Sequence, residues 1–192
     1  MSSQVYDGSC HCGIVQYKIR LTLPPEIDAD LHEGVTLISK CNCSTCLKLN
    51  MFHTRPGEPA TDFIVTSSFN ISDLGICNAF RGNSSWYFWK RCGVQCFNVC
   101  GVWVQEPLDI NKWVGKEGNG TDVQLVWRTV PYSNLGFEPE HFVSANAVTI
   151  EGVDLLEWHE KEWILYCENR FLEEGTSIPE ARYRRPHPGG CY

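Results

Sequence analysis

Cys41-Asn42-Cys43-Ser44-Thr45-Cys46 is the stretch on which the reading of this chain turns, and a second close pair, Cys10-His11-Cys12, precedes it. Spacings this short let several thiolates converge on one ion. A tetrahedral zinc takes sulfur ligands at about 2.3 Å, and a bend of two or three residues delivers them without long-range folding. A structural zinc is normally closed by a fourth protein ligand. Three thiolates alone leave a coordination position for water or substrate.

At 192 residues the chain is long enough to bury a core as one domain. Its cysteine count is eleven, which is odd. A secreted disulfide scaffold would be shorter, evenly paired and led by a signal peptide. Residues 1–8 carry neither a basic region nor an apolar one, so a reducing, cytoplasmic setting is expected. No apolar run approaches the ~20 residues needed to cross a bilayer, so no membrane role is expected. A net charge of −7 argues against nucleic acid as a partner. The cations are nevertheless unevenly placed. Lys40, Lys48 and Arg55 surround the knuckle, and Lys90 and Arg91 precede Cys92, where they can offset thiolate charge.

Strand signals dominate elsewhere. Over residues 14–21, Val15, Tyr17, Ile19 and Leu21 alternate with Gln16, Lys18 and Arg20, the period of a half-buried strand. Residues 35–39 form a short β-branched run into the knuckle. Residues 63–67, 85–89, 94–104, 123–129 and 142–150 read as further strands. Residues 24–34 read as an acidic loop and 115–120 as a turn-rich connection. Only residues 154–160 read as helix. The expected class is mainly β, one zinc domain over residues 1–178 with a loosely held Pro/Arg/Gly-containing tail over 179–192.

Three ordered motifs now stand out: Gly8-Ser9-Cys10-His11-Cys12-Gly13, Cys41-Asn42-Cys43-Ser44-Thr45-Cys46-Leu47-Lys48, and Trp86-Tyr87-Phe88-Trp89-Lys90-Arg91-Cys92-Gly93-Val94. In these, and more weakly through Val143-Ser144-Ala145-Asn146-Ala147-Val148-Thr149, the chain resembles the glutathione-dependent formaldehyde-activating enzyme family, which includes the centromere protein V type. The resemblance is good over residues 8–104 and thin beyond them. It implies the Mss4-like (β-tent) fold, several coiled antiparallel sheets around two zinc-cysteine sites. It also implies a structural zinc on Cys10, Cys12 and Cys92, and a catalytic zinc on Cys41, Cys43 and Cys46.

One departure stands against the family pattern. Its third motif reads Phe-Cys-x-x-Cys-Gly, whereas Phe88-Trp89-Lys90-Arg91-Cys92-Gly93 puts an indole at the first cysteine's place. Cys96 stands ~13 Å along a strand from Cys92, too far to share its metal without a sharp bend. The first site is then three thiolates with water, or takes another ligand, or is absent with Trp89 filling the space.

Zn²⁺ on three thiolates is a weak Lewis acid, which disfavours a hydrolase. It can still bind and deprotonate a thiol that alone, at a pKa of about 8.5, is mostly protonated. The resemblance and this chemistry lead to a zinc-dependent carbon–sulfur lyase or synthase acting on glutathione adducts of an aldehyde or related electrophile. A zinc-bound thiolate would be nucleophile or leaving group. Lys48 and Arg91 would hold the glutathione carboxylates. Two rivals remain open. One is a non-catalytic zinc-stabilised binding module, with His53 or another residue completing the middle site. The other is a redox enzyme of the methionine sulfoxide reductase type, which would need Cys96, Cys100 or Cys167 as nucleophile. Otherwise Cys77, Cys96, Cys100 and Cys167 read as small buried apolar residues. Cys191 reads as an exposed tail thiol, and His11 as pointing away from its neighbours' metal.

Overall fold

Alternating apolar and polar side chains carry most of the chain into strands. The computed structural model describes residues 2–27, 34–67, 69–78, 84–117, 122–132, 141–170 and 180–188. In chain order the elements are β1 (Ser2–Ser9), β2 (Gln16–Leu23), β3 (Leu37–Cys41), α1 (Ser44–Leu49), β4 (His53–Arg55), α2 (Pro59–Asp62), β5 (Phe63–Val65), β6 (Gly75–Asn78), β7 (Ser85–Phe88), β8 (Gln95–Cys100), β9 (Val102–Asp109), α3 (Ile110–Trp113), β10 (Val123–Val130), β11 (Phe142–Asn146), α4 (Leu155–Glu160), β12 (Leu165–Glu168) and β13 (Glu180–Arg182). Five strands form one sheet in the order β1-β2-β5-β10-β9, and eight form another in the order β13-β12-β3-β4-β11-β8-β7-β6. Neighbours run antiparallel except β3 and β12, whose parallel register sets Cys41 level with Cys167. The chain is mainly β, as its sequence predicts.

The core joins the two sheets. Tyr17, Ile19 and Leu21 of β2 and Phe63 and Val65 of β5 pack in one cluster with Ile38, Phe97, Val99, Val143 and Ala145 of the larger sheet. The rings of Tyr17, Phe63 and Phe97 meet with centroids 5.4 to 5.9 Å apart, in tilted and edge-on contacts. Truncating such a ring to alanine costs about 3–5 kcal/mol. The buried set on β2 is the one its alternation predicts.

Four expectations need correction. The run expected as one strand over 142–150 ends at Asn146, and Ala147–Thr149 form a 3-10 turn. The run over 94–104 is two strands, because the chain leaves the larger sheet at Gly101 and β9 joins the smaller. Among the described residues there are three α-helices besides α4, and each of α1, α2 and α3 is too short to show a 3.6-residue period. The tail is not loose over its described part. Residues 180–188 add β13 to the edge of β12 and bury Pro186 and His187, with the Arg182 guanidinium donating to the carbonyls of Arg185 and Pro186. Residues 28–33 of the acidic loop, 118–120 of the turn-rich connection and Cys191 lie outside the described residues. Among the described residues no helix is long and apolar enough to cross a membrane.

Candidate metal centres

The knuckle forms where β3 ends. The backbone N–H of Asn42 donates to the Cys167 carbonyl (3.2 Å), which extends the β3–β12 pairing into the bend. Cys43 then caps α1, its Sγ accepting from the Cys46 N–H at 3.4 Å. Asn50 stops the helix in the left-handed region at φ 50°, a conformation asparagine tolerates better than most residues. The sulfurs of Cys41, Cys43 and Cys46 all lie within 4.8 Å of one another, so the three side chains can grip one ion.

Each sulfur has a donor aimed at it. Cys41 Sγ accepts from the Cys43 N–H (3.4 Å) and from Asn169 Nδ2 (3.1 Å). Cys46 Sγ lies 3.2 Å from His53 Nε2, whose other nitrogen is 2.9 Å from Ser144 Oγ. Desolvation pushes the His53 pKa down to about 4, so the ring is neutral. With Nε2–H donating to sulfur, Nδ1 accepts from the Ser144 hydroxyl. His53 touches Cys46 but stands outside the set of mutually close ligand atoms. Its geometry is that of an outer hydrogen-bond donor.

Three thiols this close cannot all ionise alone. Hydrogen bonds from the Cys41 and Cys46 side chains, and then from backbone N–H groups, pull Cys43 down to about 2. Its own contacts with the Cys41 and Cys43 side chains push Cys46 far up. One negative charge is shared, and the remaining protons leave only when a cation replaces them. The donor set therefore fits a soft divalent ion such as zinc. Met51 and Trp86 pack against buried Cys46 and keep water off its side of the cluster.

The second cluster, Cys10, Cys12 and Cys92, is built from two matching turns. Cys10 Sγ accepts from the Val15 N–H (3.3 Å), Cys12 is bonded by the Ile14 N–H and Cys92 by the Val94 N–H. Each turn passes through a glycine in the left-handed region, Gly13 at φ 74° and Gly93 at φ 71°, which a side chain would strain. The Gly93 N–H closes its turn on the Trp89 carbonyl at 2.8 Å. Cys10 and Cys12 sulfurs are 3.5 Å apart, and all three lie within 4.8 Å.

No protein-family model matches this chain, and no curated protein matches it either. Among solved structures, the crystal structure of a Rhodobacter sphaeroides protein, a structural-genomics target, aligns with 79% of this chain and 93% of its own. The two are 14% identical, with a TM-score of 0.42. So loose a likeness carries no argument.

The sequence-predicted residues divide between the two centres. Lys48 lies exposed on α1, two residues past Cys46. Arg91 lies exposed on the turn before Cys92, and so belongs to the other cluster. Arg55 stacks over the Phe142 ring, and Lys40 is buried over the Phe52 ring. Cys96 is wholly buried with its thiol directed at the Val94 carbonyl, and it stays outside the Cys92 set. Trp89 is half-buried and packs on Phe69, centroids 5.7 Å apart. A groove of about 1200 Å³ is lined by residues of β1, β2 and α3 among others and holds no cysteine.

Sequence reasoning missed two residues that matter here. Asn169 donates to Cys41, and nothing in the local pattern marks it. Asn146 is buried, accepts from the Phe52 N–H and donates to the carbonyls of Asn50 and Gln95. It ties the segment after the knuckle to the start of β8, three residues beyond Cys92. A polar residue ending an apolar strand was the available signal.

Proposed function

We propose that this chain is a zinc-dependent carbon–sulfur lyase or synthase of Mss4-like fold, acting on glutathione adducts of an aldehyde or related electrophile, in the manner of the glutathione-dependent formaldehyde-activating enzymes. The observation that carries the reading is the Cys41–Cys43–Cys46 cluster: three converging sulfurs, each met by a hydrogen-bond donor, with no fourth ligand atom among the described residues. Zinc held there would supply one coordination position at which an incoming thiol is bound and loses its proton.

The chain's own residues do the rest. The N–H groups of Cys43, Cys46, Asn169 and His53 draw charge from the sulfurs and keep them as ligands against protonation. Neutral His53 donates without adding charge. Lys48 offers a cation for a substrate carboxylate at the surface edge of the site.

Cobalt(II) loaded into a Cys12→Ser variant isolates this cluster. Millimolar glutathione is expected to change its sulfur-to-metal and d–d bands, and Cys41→Ser, Cys43→Ser or Cys46→Ser to abolish turnover of a glutathione–aldehyde adduct. The second reading, a non-catalytic zinc-stabilised module, is favoured by the proximity of His53 to Cys46. A spectrum of four protein ligands, indifferent to glutathione, would decide for that module.

A further inference from the structure

We propose that the Cys10–Cys12–Cys92 cluster is a ligand-binding centre in its own right, holding a metal ion by three thiolates and taking a thiol from solution in the fourth position. The thiol it fits is a small cysteinyl peptide. This does not depend on the chemistry assigned to the middle cluster.

The protein provides three sulfurs and, among the described residues, stops there. A tetrahedral ion needs a fourth ligand. Trp89, three residues before Cys92 on the turn closed by Gly93, has the C-x-x-C spacing but turns its ring onto Phe69. The Cys96 thiol is directed at the Val94 carbonyl, and His11 stands outside the mutually close set. Access is open, since Cys12 is exposed and Cys92 half-buried. An ion already bound by thiolates is soft and favours a further sulfur.

The surroundings select among thiols. Lys90 and Arg91, both exposed, sit on the same turn as Cys92 and offset the charge a fourth thiolate adds. They also suit carboxylates. A cavity of about 410 Å³ opens beside Cys10 and His11, walled by Val94, Val148 and Ile150, with Glu151 at its rim bonded to the Ser9 hydroxyl. That carboxylate suits an ammonium group. Thiol, carboxylate and ammonium together describe a cysteinyl peptide. On binding, the thiol's proton passes to solvent, its sulfur takes the fourth position, and nothing is oxidised or reduced.

The test uses the full chain carrying Cys43→Ser, which disables the middle cluster, loaded with cobalt(II). Glutathione should strengthen the sulfur-to-metal band and move the d–d bands toward a four-thiolate pattern. Its half-saturation should fall roughly three- to tenfold below that of neutral 2-mercaptoethanol, the scale of one or two exposed charge pairs. Arg91→Glu, read at saturating cobalt(II), should raise the glutathione half-saturation by a similar factor. Trp89→Cys should give the four-thiolate spectrum with no added thiol and no further response. If that variant does not fold, Arg91→Glu decides. Failure of Cys43→Ser protein to bind cobalt through Cys10, Cys12 and Cys92, or a spectrum indifferent to thiols, overturns the proposal. Equal half-saturation for the two thiols, or none of the change expected of Arg91→Glu, overturns the assignment of the cysteinyl peptide. A failed middle-cluster reading would appear only in the Cys12→Ser experiment.

Discussion

At the end of β3, Cys46 is buried under Met51 and Trp86, and side chains from β4 and from beyond β12 reach in to donate to the sulfurs. At the other cluster, Cys12 is exposed, and the donors to sulfur are backbone N–H groups of its own two turns. The same three donors are thus presented in two ways. One is held by the fold, with side chains from β4 and from beyond β12 fixing two of its three sulfurs. The other is held by local turns and lies open to solvent. Burial and outer-shell hydrogen bonds slow ligand exchange, and exposure speeds it, so equal stoichiometry need not mean equal lability.

The comparison breaks most visibly under a chelator. Metal release is expected to be biphasic, with the Cys10–Cys12–Cys92 ion leaving first, and only the slow phase should unfold much of the larger sheet. Ligand present at a thousandfold over its dissociation constant stabilises by about 4 kcal/mol, which sets the scale of the slow loss. Chromophoric chelation on wild type, Cys12→Ser and Cys43→Ser, followed by thermal melts, measures both phases. A single phase, or the slow phase surviving in Cys43→Ser, would undo the contrast.

A smaller effect tests how far the clusters are independent. Asn146→Ala strands the buried Phe52 N–H and removes the donor to the part-buried carbonyls of Asn50 and Gln95, at a cost of about 1–3 kcal/mol. Because Asn146 touches the segments following both knuckles, both release phases should quicken. Acceleration of one phase alone would show that the clusters respond separately.

Much of this was legible beforehand, and the limits have physical causes. Strand β2 was read correctly because Val15, Tyr17, Ile19 and Leu21 repeat at the strand period and one face is buried. The two cysteine triplets were read from close spacing within two segments, although Cys92 needed the resemblance to be joined to Cys10 and Cys12. Helix α1 was missed because six residues show no periodicity, and its start is a cysteine rather than a usual cap. Asn169 was missed because its sulfur partner is 128 residues away. The tail was misjudged because Pro and Gly suggest a loop, while β13 is held by pairing that no local pattern records.

The smallest effect separates the two cations. Lys48 lies on α1, beside the middle cluster, and Arg91 on the turn of the other. Both are exposed, so neither contributes much to stability, and a charge reversal at such a site usually stays within about 0.5 kcal/mol. Lys48→Glu should therefore leave metal content and melting temperature unchanged. It should weaken the glutathione response of the middle cluster by roughly three- to tenfold, the range of an exposed charge pair, and leave the response of the Cys10–Cys12–Cys92 cluster as it was. Cobalt titrations of Lys48→Glu in the Cys12→Ser and Cys43→Ser backgrounds read each cluster alone. An equal loss in both backgrounds would mean that one cation serves both sites through long-range attraction, which 0.15 M salt would then suppress. A loss confined to the Cys12→Ser background would instead assign Lys48 to the middle centre, as its place on α1 requires.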